Sequence, residues 1–200
     1  MLQTPVCDLL GMEVPIMQAA IWPATAPKLV AAVSEAGGLG SIGAVFESAE
    51  SVQRQIARVR EITPRPFAVN HVVPLLDEAA FRATLEAKPK VVSFALGYPG
   101  DLVARAHDAG AKVIHQIHTV GQARKAAELG VDVIIAQGSE AGGQGMALGV
   151  RSHGAHTPGC RRGGSHPGIG SWRGGGWTRA RCGAGAGRPR SQRGHALPCL

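Results

Sequence analysis

Cysteine is scarce over the first three quarters of the chain, where Cys7 is the only one. The other three, Cys160, Cys182 and Cys199, lie in the last fifty residues at spacings that match no zinc-binding pattern. This distribution gives the body of the chain no disulfide framework, and we predict no metal site. Reduced thiols are typical of a cytoplasmic protein, and this is the location that we expect.

Long apolar runs are also missing, and none is long enough to span a bilayer. The first five residues lack the charged start and the apolar core of a secretory signal. We therefore expect a protein that does not insert into a membrane.

Acidic residues are absent from residues 151–200, which contain nine arginines and 13 glycines. Residues 1–150 carry 12 Lys and Arg against 14 Asp and Glu, so the net charge of +7 comes entirely from this tail. The tail also lacks Val, Phe, Met and Tyr, and it shows neither helical nor strand periodicity. We predict one domain over residues 1–150 without general affinity for nucleic acid, followed by a disordered Arg/Gly-rich tail.

The body of the chain alternates short apolar runs with segments of helical periodicity, joined by short connections that contain glycine or proline. The apolar runs predict six strands, at residues 15–20, 39–43, 67–73, 91–95, 112–116 and 133–136. Apolar runs of this kind are typical of a parallel sheet that helices cover. A doubly wound sheet and a (β/α)8 barrel both have this pattern.

Polar side chains lie at the ends of four predicted strands: Gln18, Asn70, Gln116 and Gln137. A (β/α)8 barrel has its active site where the carboxyl ends of the strands meet, so this placement favours the barrel. No early Gly-x-Gly-x-x-Gly turn supports a dinucleotide-binding sheet. We therefore predict an α/β protein, a (β/α)8 TIM barrel truncated after about the sixth strand.

The sixth predicted strand continues into a glycine-rich loop at residues 137–145. Glycine lets the backbone approach a ligand and point its N–H groups at it. Gln137, Ser139, Glu140 and Gln144 add polar side chains to this loop. The combination indicates a phosphate or flavin site, and a plain strand-to-helix turn is the alternative interpretation.

Three short segments of the chain resemble the nitronate monooxygenase (2-nitropropane dioxygenase) family of FMN-dependent TIM barrels, and the resemblance covers roughly residues 4–148. The shared pieces are Gln18-Ala19, Val69-Asn70 and residues 136–143. The glycine-rich piece is specific to this family and to its close relatives, the FMN-dependent enoyl-ACP reductases. The resemblance implies an enzyme that oxidises alkyl nitronates with O₂ to a carbonyl compound and nitrite.

The resemblance also implies which residues contact FMN. These residues are Gln18, Ala19, Ala20, Asn70, Gln137 and Gly142. Gln144 stands where the family usually has a histidine that assists proton abstraction or orients the substrate. Glutamine cannot take a proton near neutral pH, whereas a nitronate is already deprotonated. Our hypothesis is that nitronate oxidation tolerates Gln144 better than oxidation of a neutral nitroalkane does.

Three histidines of the body, His71, His115 and His118, fall on or beside predicted strands. A histidine at the end of a strand more often has a structural hydrogen bond than a catalytic role. Because His71 follows Asn70 directly, we expect it to be the closest of the three to the flavin.

Residues 151–200 suggest a shifted reading frame. Codons permitted for residues 194–200, read one base later, encode Gly-Thr-Arg-Phe-Leu-Ala, which resembles the turn that holds the FMN phosphate in the family. We therefore interpret the tail as out of frame from near residues 152–154, and a barrel without its last strands as a poor FMN binder.

Two other functions fit parts of the sequence. An enoyl-ACP reductase would need NAD(P)H and a channel for an acyl chain. A noncatalytic RNA-binding protein would act through the Arg/Gly tail, with Trp172 and Trp177 as stacking groups. Barrels of the IMP dehydrogenase type fit less well, because their catalytic cysteine loop has no counterpart in residues 1–150.

Overall fold

A computed structural model of the chain describes residues 3–138 and residue 141. The predictions for the tail, for Gly142 and for Gln144 lie outside these residues. Within the described part, no helix has both the length and the apolar character required to cross a membrane.

The described residues alternate helices and strands along the chain. The strands are β1 (Gly40–Gly43), β2 (Phe67–Val72), β3 (Val91–Ala95), β4 (Lys112–Ile117) and β5 (Val133–Ala136). The helices are α1 (Pro5–Leu10), α2 (Pro27–Glu35), α3 (Ala49–Ile62), a 3₁₀ helix (Val73–Leu75), α4 (Glu78–Glu86), α5 (Leu102–Asp108) and α6 (Val120–Glu128).

The five strands form one parallel sheet in the order β1-β2-β3-β4-β5. Each strand therefore lies beside its neighbour in the chain, and the order never reverses. A doubly wound sheet has a reversal point in its strand order, whereas a barrel adds its strands consecutively. The topology is that of the predicted barrel.

The prediction of a strand at residues 15–20 is wrong in extent. Only an isolated parallel bridge between Met17 and Leu39 forms there. Two hydrogen bonds hold this bridge: the Gln18 N–H donates to the Leu39 carbonyl, and the Leu39 N–H donates to the Ile16 carbonyl, both at 2.9 Å. Pro15 has no backbone N–H that could donate a hydrogen bond to a neighbouring strand. The segment therefore makes only this short contact with the sheet edge.

Helix α1 closes the amino-terminal end of the sheet's inner face. Pro5 begins the helix, and Gly11, in the left-handed conformation with φ 73°, follows its last residue. Its apolar side chains pack on the inward residues at the amino ends of the strands. This cluster comprises Val6, Cys7, Leu10, Met12, Leu39, Ala68, Val91, Ile114 and Val133. The amino-terminal part of the inner face is therefore apolar and filled.

The outer face of the sheet packs against the longer helices in two clusters. Phe81, Phe94 and Val113 are central to one, and Ile42, Val52 and Ile56 are central to the other. Successive strand residues point to opposite faces, so side chains that do not join these outer clusters point inward. This alternation decides which polar residues line the barrel interior.

Side-chain caps fix where several helices begin. The Ser48 side chain accepts from the Ser51 N–H and precedes α3, and the Asp77 side chain accepts from the Ala80 N–H and precedes α4. The predicted capping box of α6 is confirmed, with Thr119 and Gln122 bonded reciprocally. These caps set the connections that leave the carboxyl ends of the strands.

Candidate functional site

Polar side chains line the inner face at the carboxyl ends of the strands. Asn70 on β2 pairs in register with Gly43 on β1 and with Ser93 on β3. Gln116 lies on the same face of β4, and Gln137 follows β5. The inner face thus changes from an apolar cluster at its amino end to an amide-rich surface at its carboxyl end, which we call the mouth.

The amide groups of the mouth are held by neighbouring strands. Nδ2 of Asn70 donates to Oγ of Ser93 at 2.9 Å. Nε2 of Gln116 donates to Oε1 of Gln137, whose backbone N–H donates to the carbonyl of Ile117 at 2.9 Å. The structure therefore places Asn70 and Gln137 on one face of the sheet, with β3 and β4 between their strands.

Gln18 enters the same region from the segment before α2. Its Nε2 donates to the carbonyls of Ala19 and Ser41 at 3.2 and 3.3 Å. Its Oε1 and the Oγ of Ser41 are buried and have no hydrogen-bond partner among the described residues. A buried acceptor without a partner costs about 1–3 kcal/mol, so such atoms are typical of a site that receives a polar ligand.

The side chain of His71 points away from this site, which contradicts the expectation that it contributes beside the flavin. His71 alternates with Asn70 and faces the helices, where its ring packs edge-on against Phe81 at 5.2 Å. The Thr84 hydroxyl donates to the Ala80 carbonyl, so Nε2 of His71 donates to the Thr84 oxygen at 3.0 Å. Burial lowers the pKa of His71 to about 4.

His115 is also an outward, structural histidine. Its Nδ1 donates to the carbonyl of Phe94 at 3.2 Å. Burial is the largest cause of its lowered pKa, and the charge of His118 acts in the same direction.

His118 differs from the other two histidines. It follows β4 directly, and its backbone N–H donates to Oε1 of Gln122 at 2.7 Å. The residue is 3% exposed, and neither ring nitrogen has a partner among the described residues. Burial lowers its pKa. From the sequence, His118 was named beside His71 and His115 but ranked below His71, although its place directly after a predicted strand was visible.

The opposite, amino-terminal end carries a basic cleft of about 350 Å³, lined by Arg60, Arg65, Lys88 and Lys90 among others. Arg60 donates to the carbonyls of Ala87 and Lys88 that end α4, and Arg65 pairs with Glu13 at 2.6 Å. The two arginines therefore join connections at the bottom of the barrel and stabilise them.

No group of three or more His, Cys, Asp or Glu side chains that could hold a metal ion occurs in the described part of the chain. The acceptors at the mouth are amides and a hydroxyl.

Comparison with known proteins identifies the family. The family model described as nitronate monooxygenase matches residues 3–86 and 77–157. The chain belongs to the nitronate monooxygenase family. The match ends early in the predicted tail and includes the glycine-rich loop.

Several relatives of this nitronate monooxygenase-family chain are known. A "(3aS,4S,5R,7aS)-5-hydroxy-7a-methyl-1-oxo-octahydro-1H-indene-4-carboxyl-CoA dehydrogenase" of Mycobacterium tuberculosis is 37% identical, over 71% of this chain and 40% of that protein. A probable nitronate monooxygenase of Staphylococcus aureus is 31% identical, over 68% of this chain and 49% of its own length. The chain therefore spans half or less of the length of these relatives.

The solved structure of FabK from Thermotoga maritima is similar, with 34% sequence identity and a TM-score of 0.73. The likeness covers 78% of this chain and 50% of that one. It confirms the predicted class, an α/β TIM barrel, of which the described residues form five consecutive strands.

Proposed function

We propose that residues 1–150 are an incomplete FMN-binding TIM-barrel domain of an oxidoreductase that oxidises alkyl nitronates with O₂ to a carbonyl compound and nitrite. The observation that carries this proposal is the mouth. There Gln18, Asn70 and Gln137 lie at the carboxyl end of one sheet, and the buried Oε1 of Gln18 and Oγ of Ser41 have no hydrogen-bond partner within the described part of the chain. The family supports the reaction class.

The residues at the mouth fit a flavin. A side-chain amide both donates and accepts, which suits the alternating donors and acceptors of an isoalloxazine ring and the hydroxyls of its ribityl chain. Ala19 and Ala20 next to Gln18 are small enough to let a flat ring approach the backbone. FMN would supply the two-electron acceptor, while the chain's amides would orient it.

Replacing Asn70 by leucine is expected to weaken FMN binding about 10- to 50-fold, because it removes amide hydrogen bonds and leaves the ligand's own polar atoms unpaired. The apparent Kd would be measured by flavin fluorescence with the full-length chain. Ser93→Ala is the matched control, since it removes only the partner of Asn70 and should change the Kd less than threefold. Equal Kd values for the wild type and Asn70→Leu would refute this assignment.

Gln144, in the place of the family histidine, carries the second part of the proposal. Gln144→His is expected to raise the oxidation of neutral nitroethane at least tenfold, because it restores a proton acceptor, and to change the oxidation of ethyl nitronate less than threefold. Nitrite release from each substrate form gives the two rates. A parallel change of both rates would show that this residue does not discriminate between the two forms.

Oxidation or reduction of an acyl thioester is the second candidate. The name of the Mycobacterium tuberculosis relative specifies a carboxyl-CoA dehydrogenase, and the likeness to FabK supports the same candidate. Turnover of crotonyl-CoA with NADH, followed at the absorbance of NADH, would decide for this candidate if it exceeds nitronate oxidation.

A further inference from the structure

Large apolar side chains are exposed around the mouth. Five of them lie on segments that leave the carboxyl ends of the sheet, and each is 45% to 69% exposed. These residues, which we call the mouth rim, are Ile21, Trp22, Phe46, Leu75 and Tyr98. Single exposed apolar residues are ordinary, but a set grouped at one end of a barrel marks a binding surface.

Trp22 and Phe46 form the ordered core of this rim. Their rings meet edge-on with centroids 5.4 Å apart, and Nε1 of Trp22 donates to Oε1 of Glu47 at 3.1 Å. Phe46 has a φ of 58°, which is unfavourable for a bulky residue and persists only where the surroundings impose it. The aromatic pair is therefore held outward in spite of its exposure.

The segment that carries Trp22 is fixed by its own hydrogen bonds. Oγ1 of Thr25 donates to the Ile21 carbonyl at 2.7 Å and accepts from the Ile21 N–H at 2.8 Å. Thr25 is 6% exposed, so these bonds are shielded from water. The turn presents Trp22 as a preformed surface.

The aromatic pair borders the proposed flavin site. A Cβ placed on Gly43 would lie 3.7 Å from Cβ of Ala20 and 3.8 Å from Cβ of Trp22. Gly43 pairs with Asn70 in the sheet, and the Ala44 N–H donates to the Asn70 carbonyl at 2.9 Å. Gly43 therefore lies between Asn70, its partner in the sheet, and the residue that carries the Trp22 ring.

We propose that the Trp22–Phe46 pair binds the apolar part of the substrate and makes the chain selective for substrates with a long alkyl chain or an alicyclic ring. This inference rests on the proposed function, which places the reacting polar group at the amides. Rigid aromatic rings gain contact area with little loss of entropy. The bicyclic substrate named for the Mycobacterium tuberculosis relative has a size that suits such a surface.

The first test is a substrate series made of the nitronates of nitroethane, 1-nitrobutane, 1-nitrohexane and nitrocyclohexane. For the wild type, kcat/KM is expected to rise about two- to fourfold per added methylene. In Trp22→Ala/Phe46→Ala, kcat/KM for the C6 substrates should fall about tenfold, while that for nitroethane should change less than twofold. Ile62→Ala is the control, because it removes an exposed apolar side chain at the far end of α3.

The second test needs no turnover. The chain has three tryptophans, so Trp172→Phe/Trp177→Phe leaves Trp22 as the only one. Cyclohexanecarboxylate is unreactive, and its carboxylate group is planar and anionic like the nitronate group. It is expected to give a saturable blue shift of Trp22 emission, and acetate is expected to give none. The shift should disappear in a Phe46→Ala background.

The outcomes separate the inference from the function on which it rests. A saturable shift without any nitronate oxidation supports the apolar surface and contradicts the proposed reaction. Nitronate oxidation with equal kcat/KM across the series, and no shift, leaves the reaction standing and overturns the inference. A blue shift that depends on protein concentration alone would show that a second copy of the chain covers the pair, which also overturns it.

Discussion

Gly40→Ala is expected to lower the free energy of unfolding by about 3 kcal/mol or more, because the added methyl group has no space. A Cβ on Gly40 would lie 2.1 Å from the carbonyl oxygen of Val30 and 2.8 Å from its carbonyl carbon. Both atoms belong to the backbone of α2, so no side chain can turn aside to relieve the contact. Either α2 moves away from β1, or the strand loses its register with Phe67.

Gly43 provides the matched control on the same strand. Its nearest neighbours would lie 3.7 to 3.8 Å from an added Cβ, which is ordinary van der Waals contact. Gly43→Ala should therefore change the unfolding free energy by less than about 1 kcal/mol. Alanine also restricts the unfolded chain more than glycine does, and this effect stabilises the variant. Urea unfolding followed by circular dichroism measures both. If both variants lost the same stability, the cause would be the replacement of a glycine within a strand and not the close approach of α2 to Gly40.

The strands were predictable because their signal is local. Val91–Ala95 and Val133–Ala136 are buried apolar runs between glycine- or proline-containing connections, and the predicted bounds match those observed. Helix α1 was missed because six residues are too few to show a helical period. Its stability comes from packing against the amino ends of distant strands, and no local pattern reports such contacts.

The histidines show where the reasoning about the site failed. Adjacent residues of a strand point to opposite faces, so an inward Asn70 requires an outward His71. Because His71 follows Asn70 directly, we expected both side chains to face the site, although the alternation of strand residues was available from the sequence. His118 could not be ranked higher, because the missing hydrogen-bond partners of its ring become visible only in three dimensions.

The amides show the opposite case. Gln18, Asn70 and Gln137 are spread over almost 120 residues, yet parallel strands bring their carboxyl ends to one edge. Their grouping follows from the strand pattern and the barrel topology. The aromatic pair of Trp22 and Phe46 does not follow from either, because both residues lie on connections whose course depends on Thr25 and Glu47.

The unfolding free energy is expected to fall by about 3 kcal/mol as the pH drops from 6.5 to 4, because of His71 alone. Burial lowers the pKa of His71 from 6.5 to about 4 in the folded chain. Between these two values the unfolded chain binds a proton that the folded chain does not bind, so acid favours unfolding. As the pH rises above 6.5 the histidine becomes neutral in the unfolded chain as well, and by about pH 7.5 this contribution to the pH dependence has vanished.

His71→Gln should flatten the pH dependence by this amount while His115 and His118, whose pKa values are also lowered, remain in place. Thr84→Val is the matched control. It removes the hydroxyl that contacts Nε2 of His71 but keeps the ring buried against Phe81, so it should cost stability at every pH and preserve the slope. Urea midpoints at half-unit steps from pH 4 to 8 measure both. If Thr84→Val flattens the slope and His71→Gln does not, burial of the His71 ring is not the cause of the acid sensitivity.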